Sequence, residues 1–191
     1  METAVEYLVI CRDVVISPFA FFRKMPIAEG VRKAMFFALI IYYVRCVVYF
    51  VTAYRQGYFL IPEIKVTPVS STFAALFLAA SPFFLLLILY TQSTLLNRIG
   101  VFFGGIGNFE GAFKILAYTL FISLFLLIPG VDIVARVYSI AVLLIGTRGV
   151  YSIDWISSLI ALFFSFMFTA FLYILLFVPP AYFSRMVMFN F

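Results

Sequence analysis

Five runs of this chain are apolar over a length close to the thickness of a lipid bilayer: residues 30–53, 71–96, 109–128, 131–146 and 155–178. A helix rises 1.5 Å per residue, so about 20 residues cross the ~30 Å hydrocarbon layer. The runs therefore predict an all-α polytopic membrane protein, a bundle of five transmembrane helices. Residues 30–178 form its membrane domain, 1–29 a cytoplasmic or interfacial N-terminal segment with one short helix, and 179–191 a short tail. Only 11% of the 191 residues are charged and 66% are hydrophobic, whereas a soluble domain uses roughly 25% charged residues. Lipid must cover most of such a surface.

The few polar residues limit the chemistry. There is no histidine and there are two cysteines, Cys11 and Cys46, one in a surface segment and one inside a span. A disulfide between them is not expected, nor is a Cys/His metal site. No nucleophile–base pair stands out, so no catalytic, cofactor or metal residues are assigned. The net charge of +5 comes from Lys and Arg that flank the apolar runs, as at the ends of membrane helices. Nucleic acid is not an expected partner, and the lipid bilayer is. The acidic first residues lack the basic start of a cleavable signal peptide.

Residues 3–16 are too short and too charged to span. They read either as a helix lying at the interface or as one packed on the bundle. Pro18 should end that helix at Ser17. The first span carries a small-residue stripe, Gly30, Ala34 and Ala38, followed by Tyr42 and Cys46. Similar stripes run along 71, 75, 79 and along Ser157, Ala161, Ser165, Thr169; such rows let membrane helices approach closely. Pro82 is the expected kink of the long second span. Pro129-Gly130 closes a turn too short for anything but an antiparallel hairpin of the third and fourth spans. With the N-terminus inside, the flanking basic residues divide roughly eight to three in favour of the cytoplasm, which places the C-terminus outside.

Two groups of residues are candidate sites. At the cytoplasmic end, Arg98, Gly104, Gly105, Gly107, Glu110, Lys114, Tyr118, Arg148 and Asp154 surround the loops 98–109 and 147–154. The glycines read as a hinge feeding the third span. Asn108 is the expected N-cap, and Glu110 and Lys114 form an i,i+4 pair in the favourable order. GGIGNFEG differs from a dinucleotide fingerprint: Glu110 occupies the last glycine position, and no parallel sheet accompanies it. The second group lies inside the membrane. Arg45 costs at least ~2.5 kcal/mol at membrane depth and so should face the bundle with a partner. Asp132, at comparable depth, is the expected partner, with Arg136, Tyr42 and Tyr49 nearby. This is a register-fixing ion pair, a polar path for an ion, proton or headgroup, or an arginine that snorkels to the outer interface.

Three stretches carry a family resemblance: Ser17-Pro18-x-x-Phe21-Phe22; Gly104-Gly105-x-Gly107 through Phe113 to Ala117-Tyr118-Thr119; and Ile145-Gly146-Thr147-Arg148. In order and in spacing relative to the spans, the chain resembles the Yip1 domain family, in its short prokaryotic or archaeal form. The resemblance implies five spans, a cytoplasmic N-terminus and a non-enzymatic role in the cell membrane, as an adaptor or organiser that associates with like or unlike membrane proteins. Eukaryotic members are similar to adaptors that meet Rab GTPases, but nothing here aligns with their long N-terminal region, so GTPase binding is not expected. The alternative expectation is a small transporter, accessory transport subunit or lipid-handling protein built on Arg45 and Asp132.

Overall fold

The computed structural model describes residues 2–56, 71–128 and 130–177, with side chains described for 5–48, 79–128 and 130–174. Every regular element in them is helical: α1 Glu2–Ile16, α2 Pro18–Lys24, α3 Arg32–Gln56, α4 Ser71–Phe102, α5 Phe109–Thr119, a 3-10 segment Leu120–Leu127, α6 Asp132–Tyr151 and α7 Trp155–Phe177. Residues 57–70, 129 and 178–191 lie outside the described residues. Four described stretches are long and apolar enough to cross a membrane: Ala79–Phe102, Phe109–Leu127, Asp132–Tyr151 and Trp155–Ile174. They establish a multi-pass membrane protein. The helix of the first predicted crossing, α3, runs 25 residues, but its last side chains are not described and it is not among the four.

Local sequence explains most of the boundaries. Ser17 leaves the helical region (φ −141°, ψ 60°) and Pro18 opens α2, a position where its missing N–H costs nothing. Asn108 is extended and its side chain accepts from the Gly111 N–H at 2.8 Å, the expected cap. Two helices run past the ends predicted for their spans. The second span is predicted at 71–96, and α4 continues to Phe102 and carries Arg98. The fourth is predicted at 131–146 with a loop at 147–154; the loop reading is corrected for 147–151, because α6 continues to Tyr151. Gly149 does not break it, because its bare backbone faces Phe22. Ser152 does, in the left-handed conformation (φ 56°).

The centre of the molecule is α5. It packs on α1, α3, α4 and α6, and the 3-10 segment continues it between α3 and α6. The remaining helices close the ring, with α7 against α4 and α6, and α2 against α6. The expected hairpin is present and antiparallel. A methyl built on Gly111 would lie 2.5 Å from Val150, and one on Gly146 would lie 2.9 Å from Ile115. Small residues line other contacts: Ala34 and Ala38 on α3, and Ala161, Ser165 and Thr169 on α7, are buried. Ala79, expected in such a row, is exposed. Of the two readings of residues 3–16, packing on the bundle describes α1 better on one side: Val14 is fully buried and Tyr138 of α6 donates to the Val15 carbonyl. Cys11 and Cys46 are free.

The α5–α6 contact is tight enough to test. Gly146→Val should lower stability by about 1–3 kcal/mol through overpacking against Ile115. Gly149→Ala, where the new methyl would meet Phe22 at an ordinary 3.5 Å, should leave stability unchanged or raise it, since Ala is the better helix former. Thermal unfolding of the detergent-solubilised protein measures both.

Candidate functional site

The glycine stretch is shaped by one aromatic ring. Tyr151, the last residue of α6, is fully buried. Methyls built on Gly100, Gly105 and Gly107 would fall 2.8, 2.9 and 2.6 Å from its ring or Cβ, so any side chain there would displace it. The turn folds over the tyrosine by backbone bonds, from Gly105 N–H to Gly100 O at 3.0 Å and from Ile106 N–H to Tyr151 O at 3.1 Å. Gly104 supplies the positive φ (81°) that reverses the chain. The Tyr151 hydroxyl lies 3.1 Å from Asn97 Oδ1 and 3.2 Å from the Asn108 carbonyl, and so ties α4 to the start of α5. The expected flexible hinge is thus a clasped turn.

Glu110 and Lys114 do not form the expected ion pair. Each reaches across to the connection between α2 and α3. Glu110 Oε2 accepts from the Gly30 N–H at 2.8 Å, and Lys114 Nζ donates to the Pro26 carbonyl at 2.5 Å. Their spacing on α5 matches that of the Pro26–Gly30 connection, whose backbone groups have no helix to satisfy them. Lys114 is only 4% exposed. Tyr118, one turn on, packs its ring on Phe21 at 5.6 Å and on Phe37 at 5.3 Å. At the next turn, Asp154 caps α7 by accepting from the Ile156 and Ser157 N–H groups at 3.0 and 3.1 Å. The Arg148 guanidinium stacks over Trp155 at 4.3 Å. Arg98 is exposed on α4.

The intramembrane group does not assemble as expected. Among the described residues the ion pairs are Arg12–Asp13 and Lys33–Glu6; Arg45 and Asp132 form none. The packing gives a reason: α3 packs mainly on α4, α5 and the 3-10 segment, and α6 meets that same segment rather than packing broadly on α3. Tyr42 lies beside Ser81 and Cys46. Asp132 is the first residue of α6, Arg136 is exposed, and the Tyr49 side chain is outside the described residues. Sequence reasoning missed Tyr151, Asn97 and Gly100, because residues 147–154 read as a loop. The signal was there: Gly146 and Val150 continue a helical face that matches Ile115 and Gly111. Among the described residues no group of three His, Cys, Asp or Glu could hold a metal ion.

A family model, the Yip1 domain, matches residues 12–178. The chain belongs to the Yip1 domain family. No curated protein and no solved structure matches it. The three stretches that carry the sequence resemblance meet in space. Phe22 lies against Gly146 and Gly149, Phe21 packs on Tyr118, and the glycine turn closes on Tyr151. They form one packing unit around the start of α5, in a multi-pass membrane protein in contact with the bilayer.

Two measurements check this unit. Gly107→Ala should cost about 1–3 kcal/mol in thermal unfolding. Most of that cost should vanish when Tyr151 is already alanine, because the two positions are one contact. Asp154 offers a pH test. Its hydrogen bonds to the Ser157 side chain and backbone hold its carboxyl below the usual aspartate value of 3.8. A depressed carboxyl contributes stability above the unfolded-state value and loses it as pH falls through the folded-state value. The pH dependence of unfolding below about pH 4 should therefore be weaker in Asp154→Asn than in the parent protein.

Proposed function

We propose that this Yip1 domain is a non-enzymatic membrane adaptor or organiser that crosses the bilayer five times, with α3 as the first crossing. Its N-terminus is cytoplasmic and its C-terminus outside, in a prokaryotic cell membrane. It works through helix–helix contacts, with copies of itself or other membrane proteins, and through the loops at the α1–α2 end of the bundle. The observation that carries the reading is the exposed apolar surface on turns held by packing and hydrogen bonds. The turn clasped on Tyr151 presents Phe102 and Ile106, 83% and 81% exposed. The neighbouring turn, fixed by Asp154 and the Arg148–Trp155 stack, presents Ile156, which is also exposed. Most of the polar residues at this end that could have served chemistry are instead committed to holding the turns and the N-terminal connection. A path through Arg45 and Asp132 gains no such support, because the two form no ion pair among the described residues.

Photocrosslinking in native membranes tests the adaptor role. A crosslinker placed at Ile106 should yield one discrete adduct with a membrane protein, and the adduct should weaken several-fold when Phe102→Ser is added. A diffuse ladder at Ile106, no stronger than from a lipid-facing position such as Phe163, would count against a loop-directed partner. Cysteine labelling gives the topology separately. Positions 104 and 152 should label from the cytoplasm and 130 from outside; labelling of all three from one side contradicts alternating crossings.

A further inference from the structure

A cleft of about 490 Å³ opens between α1, α2, the connection to α3, and α5. Its floor is the central helix, through Lys114 and Tyr118, which are 4% and 6% exposed. A buried ammonium needs compensation, and Lys can donate three hydrogen bonds. Among the described residues the Lys114 ammonium has one acceptor, a neutral carbonyl at Pro26, and no ion pair. The carboxylate one turn away, Glu110, is held by Gly30. The walls are charged, but they largely cancel in pairs. Lys33 is bound to Glu6 at 3.0 Å and Arg12 to Asp13 at 2.8 Å. That leaves Lys24 and Lys114 positive against Glu29 in the lining, with Glu110 behind the floor acting on Lys114 as well, so what the cleft offers an anionic group is the unused donors of Lys114 and not a net positive field. The other walls are apolar, with Ile10, Phe21 and Met25 among them. Nearby, α1 and α2 expose Leu8, Ile16 and Phe19, a surface suited to acyl chains.

We infer that this cleft binds a phosphate-bearing group, its oxygens taking the free donors of Lys114 and the charge of Lys24, with the phosphodiester of a membrane phospholipid as the source that the apolar surroundings favour. The inference does not rest on the adaptor reading. It concerns different residues, and its test uses no protein partner.

The experiment is native mass spectrometry of the full chain in a nonionic detergent, titrated in turn with phosphatidylglycerol, diacylglycerol of the same chains, and soluble glycerol phosphate. Phosphatidylglycerol should bind, and diacylglycerol should bind more weakly. Lys114→Gln should weaken phosphatidylglycerol by about tenfold or more, as loss of hydrogen bonds to a charged group does, while leaving diacylglycerol unchanged. Lys24→Gln, at an exposed position, should give a smaller loss and guards against misfolding at the buried lysine. Glycerol phosphate that binds as well as the lipid and needs Lys114 supports the phosphate site but moves its source to solution. Equal binding of phosphatidylglycerol and diacylglycerol overturns the inference. So does unaltered phosphatidylglycerol affinity in folded Lys114→Gln or, where that variant does not fold, in Lys24→Gln.

Discussion

Enclosure of α5 on every side sets the terms for its neighbours. All nine residues from Gly111 to Thr119 are buried, although a helix at the edge of a membrane bundle keeps one face for lipid. Between helices in lipid there is no water to expel, so close packing has to supply the association. That requires small residues where backbones meet, and the chain supplies them in complementary order. Gly111 admits Val150 and Gly146 admits Ile115, so each helix carries one notch and one branched side chain. The register of the α5–α6 hairpin is fixed twice over. Enclosure also decides the fate of the polar residues on α5: Glu110 and Lys114, near its start, use the bare backbone of residues 26–30.

That exchange explains why the short N-terminal helices belong to the fold. Their connection to α3 has neither helix nor sheet to satisfy its polar backbone groups, and two side chains of the central helix do so. In return, α2 places Phe22 against Gly146 and Gly149, where the backbone of α6 is bare. Phe21 covers Tyr118. On the other side, the glycine turn covers Tyr151. The central helix is thus held by contacts from α2 and its connection to α3, from α4 and from α6, which lie far apart in sequence. Long-range contacts of this kind resist local opening more than a loop with few packed neighbours does. A turn built this way presents its exposed residues in a fixed arrangement.

The sequence made the helical class, the family, the Asn108 cap, the break at Ser17-Pro18 and the α5–α6 hairpin legible. Each has a local cause, such as a run length, a capping side chain or a turn too short for any other arrangement. The site was less legible because its partners are distant. Glu110 and Lys114 have a spacing that predicts a mutual pair, and in isolation they would make one. The connection 80 or more residues earlier competes for both and takes them. Arg45 and Asp132 have matching depths on paper, but depth says nothing about which helices pack together. Tyr151 was hidden by a different confusion. Residues 147–151 hold a glycine and polar groups, the usual marks of a loop, and only packing on Phe22 and the glycine turn makes them the end of a helix.

The 3-10 segment is the least expected feature, and a length argument accounts for it. Runs of this geometry beyond three or four residues are uncommon, yet it covers Leu120–Leu127 with no glycine or proline inside. As a continuous α-helix, Phe109–Leu127 would reach about 28 Å, a little short of the ~30 Å hydrocarbon layer. At the 3-10 rise of about 2.0 Å per residue, the second part lengthens and the whole reaches about 32 Å. The longer rise has a packing consequence. Side chains three apart eclipse in this geometry, so Leu120, Ser123 and Leu126 stand in one straight row, and that row lines a cavity of about 240 Å³ shared with α4, α6 and α7. Gln92 reaches the same cavity with its amide nitrogen buried and without a hydrogen-bond partner among the described residues. An α-helix would stagger these side chains instead of aligning them, so the row that lines this cavity follows from the same geometry that gives the segment its extra reach.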